Sequence, residues 1–312
     1  MVYNLNQNLG ILEKLQYQKA TGKKFRVPSD DPIGVSKSLK FNTDISKLEQ
    51  YKRNAKDAMS WMNDTEAALG EMVEVFHRVN ELTVDAANGT KTPEDLEKIK
   101  EEIDQLRGHV IQIANTTYAG RHVFSGYKTN KPLLDENGKY NIDLNMEEIF
   151  EYNVGVSERV NVNTIGIKVF GVLESGEGVP DDSTEFKKTF IGEGLNVESG
   201  GTSTLIQVFD NLSNALGSYD QDAIQDALGN IAASFEQILS VRSEVGAKMN
   251  RLELTGKKLD IQINNVKELL SYNEDVDIAE ISMEINMAEN VYVSSLMTGA
   301  KIIQPTLVEF LR

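Results

Sequence analysis

Two stretches near opposite ends of the chain repeat apolar residues with a period of 3.5. In the first, Leu48, Tyr51, Ala55, Ala58, Met62, Thr65, Leu69, Met72, Phe76, Val79, Thr83 and Ala86 alternate gaps of three and four. The second runs Ile224, Leu228, Ile231, Phe235, Ile238, Arg242, Val245, Met249, Leu252, Gly256, Leu259, Ile263, Val266 and Leu270, and only Arg242 and Gly256 depart from apolar character. A period of 3.5 keeps one narrow stripe turned toward a partner helix. Such a helix needs something to cover the stripe, and the simplest partner for each is the other. The expected fold is mainly α with a β insert: long antiparallel coiled-coil helices from both chain ends, and a small β domain looped out in the middle. Leu48, Met62, Leu69 and Phe76 on one side, with Phe235, Met249, Leu252 and Leu259 on the other, are the expected seam of a helical rod. That architecture suits building and joining better than catalysis.

Glycine, proline and capping residues divide the chain further. Leu5, Leu9, Leu12 and Leu15 mark an amphipathic N-terminal helix that breaks at Thr21-Gly22-Lys23-Lys24. Asp31 before Pro32 reads as the start of the next helix, with the carboxylate capping free N–H groups and proline in the first turn. The pair Asp30-Asp31 is therefore assigned to capping rather than to metal or catalysis. Asn88-Gly89 closes that helix, and Thr92-Pro93 opens another that folds back on it. Between Tyr118 and about Ser203 the period changes. Candidate strands are 122–124, 139–142, 149–154, 159–163 and 167–170, with a hairpin signal at Asn137-Gly138. The long C-terminal stripe slips by one residue after Leu270 and resumes at Ile278, Ile281 and Ile285. That slip pairs naturally with the Gly22–Pro32 break. The expected domains are terminal helices (1–43 and 272–312), a helical rod (44–117 and 202–271) and a small β domain (118–201).

Catalytic chemistry finds little to stand on. His77, His109 and His122 are scattered, with no third ligand at metal spacing. Phosphate-cradling loops, dinucleotide fingerprints and nucleophile elbows are missing from the sequence. Asp181-Asp182-Ser183-Thr184-Glu185 carries oxygens but lacks the spacing and central glycine of a calcium loop. No cofactor or metal is expected, and a non-enzymatic role is. A formal charge of −16 argues against nucleic acid and anionic membrane surfaces as partners. The absence of cysteine excludes disulfides and sulfur-ligated zinc. The first residues lack the basic and apolar regions of a cleavable signal peptide.

Thr21-Gly22-Lys23-Lys24-Phe25-Arg26-Val27-Pro28-Ser29-Asp30-Asp31-Pro32 resembles the signature of the bacterial flagellar hook–filament junction proteins (hook-associated protein 3), in the flagellin superfamily. Gly22, Pro28, Ser29, Asp30, Asp31 and Pro32 carry that motif. Matches continue in order at 50–55, 86–90, 112–116, 120–126, 244–253 and 275–280, covering both helical thirds but little of the insert. The prolines favour a junction protein over flagellin proper, whose filament-subunit role is the alternative. The resemblance implies a structural protein of the motility apparatus, placed outside the cell as a ring in the flagellum. It also implies neighbours (an adaptor protein and flagellin), a cytoplasmic export chaperone and passage through the type III export apparatus. Leu5, Leu9, Leu12, Ile278, Ile281 and Ile285 become the expected assembly residues.

The charge is unevenly placed. Residues 1–60 hold eleven basic side chains against six acidic ones, and residues 268–312 hold eight acidic against two basic. Attraction between the two ends is the expectation that follows, with each exposed pair contributing only ~0–1 kcal/mol.

Overall fold

The computed structural model describes residues 2–89, 91–173, 179, 186, 189–190 and 196–310. Asp181–Glu185 lies outside them. Among the described residues the helices with continuous bounds are α1 (Val2–Thr21), α2 (Pro32–Ala87), α3 (Pro93–Ala114), α4 (Gly166–Phe170), α5 (Thr204–Ser218), α6 (Gln221–Glu274) and α7 (Ile278–Phe310). Among the described residues, strands of two or three residues lie between α3 and α5. They are β1 (Thr117–Tyr118), β2 (Arg121–His122), β3 (Leu144–Asn145), β4 (Glu151–Asn153), β5 (Arg159–Asn161) and β6 (Asn196–Val197). The chain forms two compact units, Met1–Gln50 with Leu259–Arg312, and Tyr51–Lys258. Both α2 and α6 contribute to each unit.

Within the unit of residues 51–258, the heptad positions of α2 from Ala55 to Ala86 are all buried. Helix α6 runs antiparallel to it. Arg242 pairs with Glu66 (Nη2–Oε1 2.6 Å), His77 lies edge-on to Phe235 (ring centroids 4.8 Å), and Gln221 Nε2 donates to the Ala87 carbonyl (2.5 Å). The polar seam residue Arg242 thus finds a carboxylate on the facing helix. Of the expected seam, Met62, Leu69, Phe76, Leu252 and Leu259 are buried, while Leu48, Phe235 and Met249 are half-buried.

Helix α3 starts as its sequence demands: Thr92 Oγ1 accepts from the Asp95 N–H, and Pro93 occupies the first turn. It folds back on α2 through Arg78–Glu102 (2.7 Å) and His109–Glu71 (3.1 Å). Helix α5 joins it through Arg107–Asp210 (2.6 Å) and a Ser213–Asp104 hydrogen bond (2.7 Å). Phe76 meets Phe209 edge-on (5.5 Å), which ties α2 to α5.

Among the described residues, the strands of the central segment make three separate two-stranded antiparallel ladders, β1–β2, β3–β6 and β4–β5. The segment differs from the expected β domain in its core: buried residues such as Val123, Phe124, Phe170 and Val197 belong to the same continuous core as α2, α3, α5 and α6. So short a segment gains more burial against the helices than it could supply alone. The β4–β5 hairpin falls inside the expected runs 149–154 and 159–163. Expected strands 122–124 and 139–142 reduce to the end of β2 and to single bridges, Leu134–Tyr140 and Lys139–Thr202. The expected strand 167–170 is α4. Burial of Ile167, Val169 and Phe170 removes the alternation that separates strand from helix. Asn137-Gly138 forms its turn: the Gly138 N–H donates to the Asp135 carbonyl (3.0 Å), and Gly138 takes φ +78°. A Cβ there would stand 2.3 Å from the Ile206 side chain.

Leu252→Asp is expected to abolish cooperative unfolding of the unit of residues 51–258. Loss of a buried leucine costs ~2–5 kcal/mol and an unpaired buried charge costs more. Leu254→Asp, at a position 67% exposed on the same helix, should stay within ~0.5 kcal/mol of wild type in denaturant unfolding.

Candidate functional site

The two chain breaks meet. Between α1 and α2, and between α6 and α7, the backbone leaves the helix, and the two connections pair as an antiparallel bridge at Lys23 and Asp275. Gly22 makes the turn out of α1 with φ +68°, a conformation glycine adopts without strain. The Lys24 N–H donates to the Glu274 carbonyl (2.6 Å), and the Val276 N–H to the Gly22 carbonyl (3.0 Å). Lys23 Nζ then bridges Glu274 (2.9 Å) and Asp275 (2.8 Å), while Lys24 Nζ donates to the Tyr272 carbonyl (2.6 Å). Asn273 Nδ2 reaches the start of α2, bonding the Gly34 carbonyl (2.8 Å) and Ser38 Oγ (2.7 Å). We call this arrangement the clasp. It lies inside the unit of residues 1–50 and 259–312, whose limits fall beyond the expected 43 and 272.

The motif residues build the clasp's outer loop. Asp31 Oδ1 accepts from the Gly34 N–H (2.9 Å) and the Ile33 N–H (3.2 Å), capping α2 as expected. Asp30 does something else: its Oδ2 accepts from the Arg26 and Val27 N–H groups (3.0 and 3.2 Å), closing the turn within the loop. Those two bonds, with nearby Lys14 and Arg26, hold its carboxyl below the ordinary aspartate value. Pro28, Ser29 and Pro32 are exposed around it. Asp277 caps α7 through the Ala279 N–H (2.8 Å).

Beyond the clasp, α1 and α7 pack against each other. Leu15, Ile281 and Ile285 form a small core, flanked by Val276 and Ala288. Two of the expected assembly residues, Ile281 and Ile285, are thus covered by this chain's own α1. Leu9 and Ile278 are exposed, and Leu5 and Leu12 half-buried. An open groove of about 640 Å³ runs between Asn4 and Leu5 on α1 and Val291, Ser294 and Thr298 on α7. Sequence reasoning passed over Lys23, Lys24, Asn273 and Asp275 as individual partners. Their signal was visible only as opposite charge at the two breaks.

Among the described residues no three His, Asp or Glu side chains gather as metal ligands, and His122 Nδ1 contacts the Asn115 carbonyl (2.9 Å). None of the described helices is long and apolar enough to cross a membrane.

Both helical ends match known sequence families. Residues 1–129 match the bacterial flagellin N-terminal helical region, and residues 228–311 the C-terminal one. The chain belongs to the flagellin family. Within that family it is similar to the flagellar hook-associated protein 3 of Escherichia coli K12, at 28% identity over 239 residues, covering 76% of this chain and 73% of that one. A flagellin of Halalkalibacterium halodurans is 28% identical over 284 residues, covering 91% and 84%. In fold, this flagellin-family chain is similar to a putative flagellar hook-associated protein from Vibrio parahaemolyticus (TM-score 0.63, 18% identity, 78% of this chain and 99% of that one). FlgL of Bacillus cereus gives a TM-score of 0.56 at 22% identity, covering 74% and 99%.

The clasp has a defined pH range. Hydrogen bonds from Lys23 and Ser271 lower the Asp275 pKa, so its stabilisation is present above the ordinary value of ~3.9 and lost on acidification below it. Hydrogen bonds to Asp275 and Glu274 raise the Lys23 pKa, so that contribution is full below ~10.4 and lost at higher pH. Protection of the Lys24 and Val276 amides, taken relative to their intrinsic exchange rates, should therefore fall at both extremes and hold between. Lys23→Gln should lower it at neutral pH by an amount equivalent to ~0.2–1 kcal/mol, the range for exposed pairs. Unchanged exchange in that variant would mean the backbone bridge holds alone.

Proposed function

We propose that this chain is a structural protein of the bacterial flagellum, forming the junction between hook and filament. The observation that carries this reading is a pairing. Both flagellin helical ends are present, and the chain resembles hook-associated protein 3 across three quarters of its length. The proline-bounded loop Pro28–Pro32, built into the clasp, supports it. A filament-subunit role is the second reading, favoured by the longer coverage of the Halalkalibacterium flagellin.

On this reading the unit of residues 1–50 and 259–312 is the assembly end. Among the described residues, α1 and α7 share a small core of Leu15, Ile281 and Ile285. Exposed apolar residues remain on α7, among them Met283, Met287, Val291 and Met297. Apolar surface of that kind is normally covered by a partner. The proposed partners are further copies in a ring, an adaptor protein on the hook side and flagellin on the filament side. A cytoplasmic chaperone would cover the same helices before passage through the type III export apparatus, to an extracellular site. No enzymatic activity is assigned.

Purified chain mixed with isolated hook ends should bind as a single layer visible by electron microscopy, and should stop there. Growth of long filaments from the chain alone would favour the filament-subunit reading. Failure to seat on hook ends at all would remove the junction role.

A further inference from the structure

Trp61 is the single tryptophan of the chain, and its indole lacks a hydrogen-bond partner. It stands on α2 in the unit of residues 51–258, with the Tyr118 ring edge-on to it (centroids 5.7 Å). Its Nε1 is shielded from solvent, and among the described residues nothing accepts from it. A buried N–H left unpaired costs stability, so nearly all such groups in folded proteins find an acceptor. Trp61 also lines a cavity of about 50 Å³, together with Arg121, Thr129, Phe150, Tyr152 and Asn163.

The polar groups around this cavity are unequally engaged. Asn163 is satisfied on both sides: its Nδ2 donates to the Glu148 carbonyl (2.6 Å) and its Oδ1 accepts from the Phe150 N–H (2.8 Å). Arg121 is not. It lies on β2 directly opposite Tyr118 of β1, a register that puts both side chains on one face of the ladder. Among the described residues no carboxylate comes within 4 Å of its guanidinium. The nearby acids are occupied elsewhere, Glu151 with Arg159 (3.1 Å) and Glu148 with the Tyr127 N–H (2.8 Å). The Thr129 and Tyr152 hydroxyls can serve as donor or acceptor. Phe150, held edge-on to Tyr127 (5.1 Å), gives the cavity an aromatic wall beside Tyr152.

We propose that this cavity binds a carboxylate group. Its oxygens accept from Trp61 Nε1–H and from Arg121, and the carbons behind it lie against Phe150 and Tyr152. The sign of the ligand follows from the donors. An indole N–H and a guanidinium only donate, so the occupant must accept at two points, and a negative charge there makes the bond to Arg121 charge-assisted. A single water satisfies the indole but leaves the charge of Arg121 without a counterpart. The volume exceeds the ~10–15 Å³ that one water needs and suits a head the size of acetate or propionate. The same head ends an aspartate or glutamate side chain. The site stands apart from the clasp and does not rest on the junction role.

With one tryptophan in the chain, the indole N–H gives a single resonance in nitrogen-15 NMR, and that resonance reads the site directly. Sodium propionate added to the full-length chain should move it downfield along a saturable curve, with a Kd of about millimolar order, as suits a ligand of so few atoms. Propionamide, of the same size but uncharged, should bind at least about tenfold more weakly. Sodium chloride at equal ionic strength should produce no saturable shift. Arg121→Met changes an exposed position, so circular dichroism should report an unaltered fold, while propionate binding weakens about tenfold or more. Trp61→Phe keeps an aromatic ring and removes the N–H. Propionate, compared with chloride, should raise the Tm of wild type more than that of this variant. The α-amide of N-acetylglutamate separates the two sources of the head. Binding like that of propionate identifies a side chain of another polypeptide as the occupant, and its exclusion identifies a free short-chain acid. No saturable shift with propionate, equal binding of propionamide, or undiminished binding by Arg121→Met would overturn the site.

Discussion

Antiparallel pairing of α2 with α6 is the interaction on which everything else depends. Their facing stripes bring residue 87 to residue 221 and, in the other unit, Lys267 to Glu49 and Asn273 to Gly34. Once that register holds, the two helix breaks are brought together, and Lys23 finds Glu274 and Asp275 from 251 and 252 residues away. The clasp then orients α1 and α7, so that Leu15 covers Ile281 and Ile285. Each step is geometrically available only because the previous one fixed direction and level.

The parts legible in the sequence were those with a strong period or obligatory local chemistry. Ala55 to Ala86 keep their 3.5-residue repeat and are all buried. Asp31, Thr92 and Gly138 do what their side chains, or the lack of one, require. The pairing of the two breaks was also readable, because a phase slip at 271–277 needs a counterpart. What escaped was decided by tertiary context. Ile167, Val169 and Phe170 are buried beside a half-buried Lys168, so nothing in their pattern separates a helical turn from a strand. Ala119-Gly120, both at positive φ, form the tight turn of β1–β2 without the Asn-Gly or Asp-Gly signal that marks such turns. The insert was expected to stand apart, yet its aromatic residues, such as Phe124 against Phe170, join the helical core. Short ladders depend on that support.

At the candidate site the motif was legible and its division of labour was not. Asp30 and Asp31 are adjacent carboxylates with separate duties, one closing a loop and the other starting a helix. The difference arises from which N–H groups the backbone turn presents, and no spacing rule encodes it. The expected attraction between the chain ends was right in sign and too general in place. One lysine captures two carboxylates, while among the described residues Lys14, Glu280 and Glu284 have no opposite charge within 4 Å.

The clasp and the small core beside it join residues far apart along the chain: Lys23 meets Glu274 and Asp275, and Leu15 is covered by Ile281 and Ile285. Contacts of such separation form slowly, because a long loop must close before they contribute. The small core of the terminal unit therefore forms late, after the contacts that are closer along the chain.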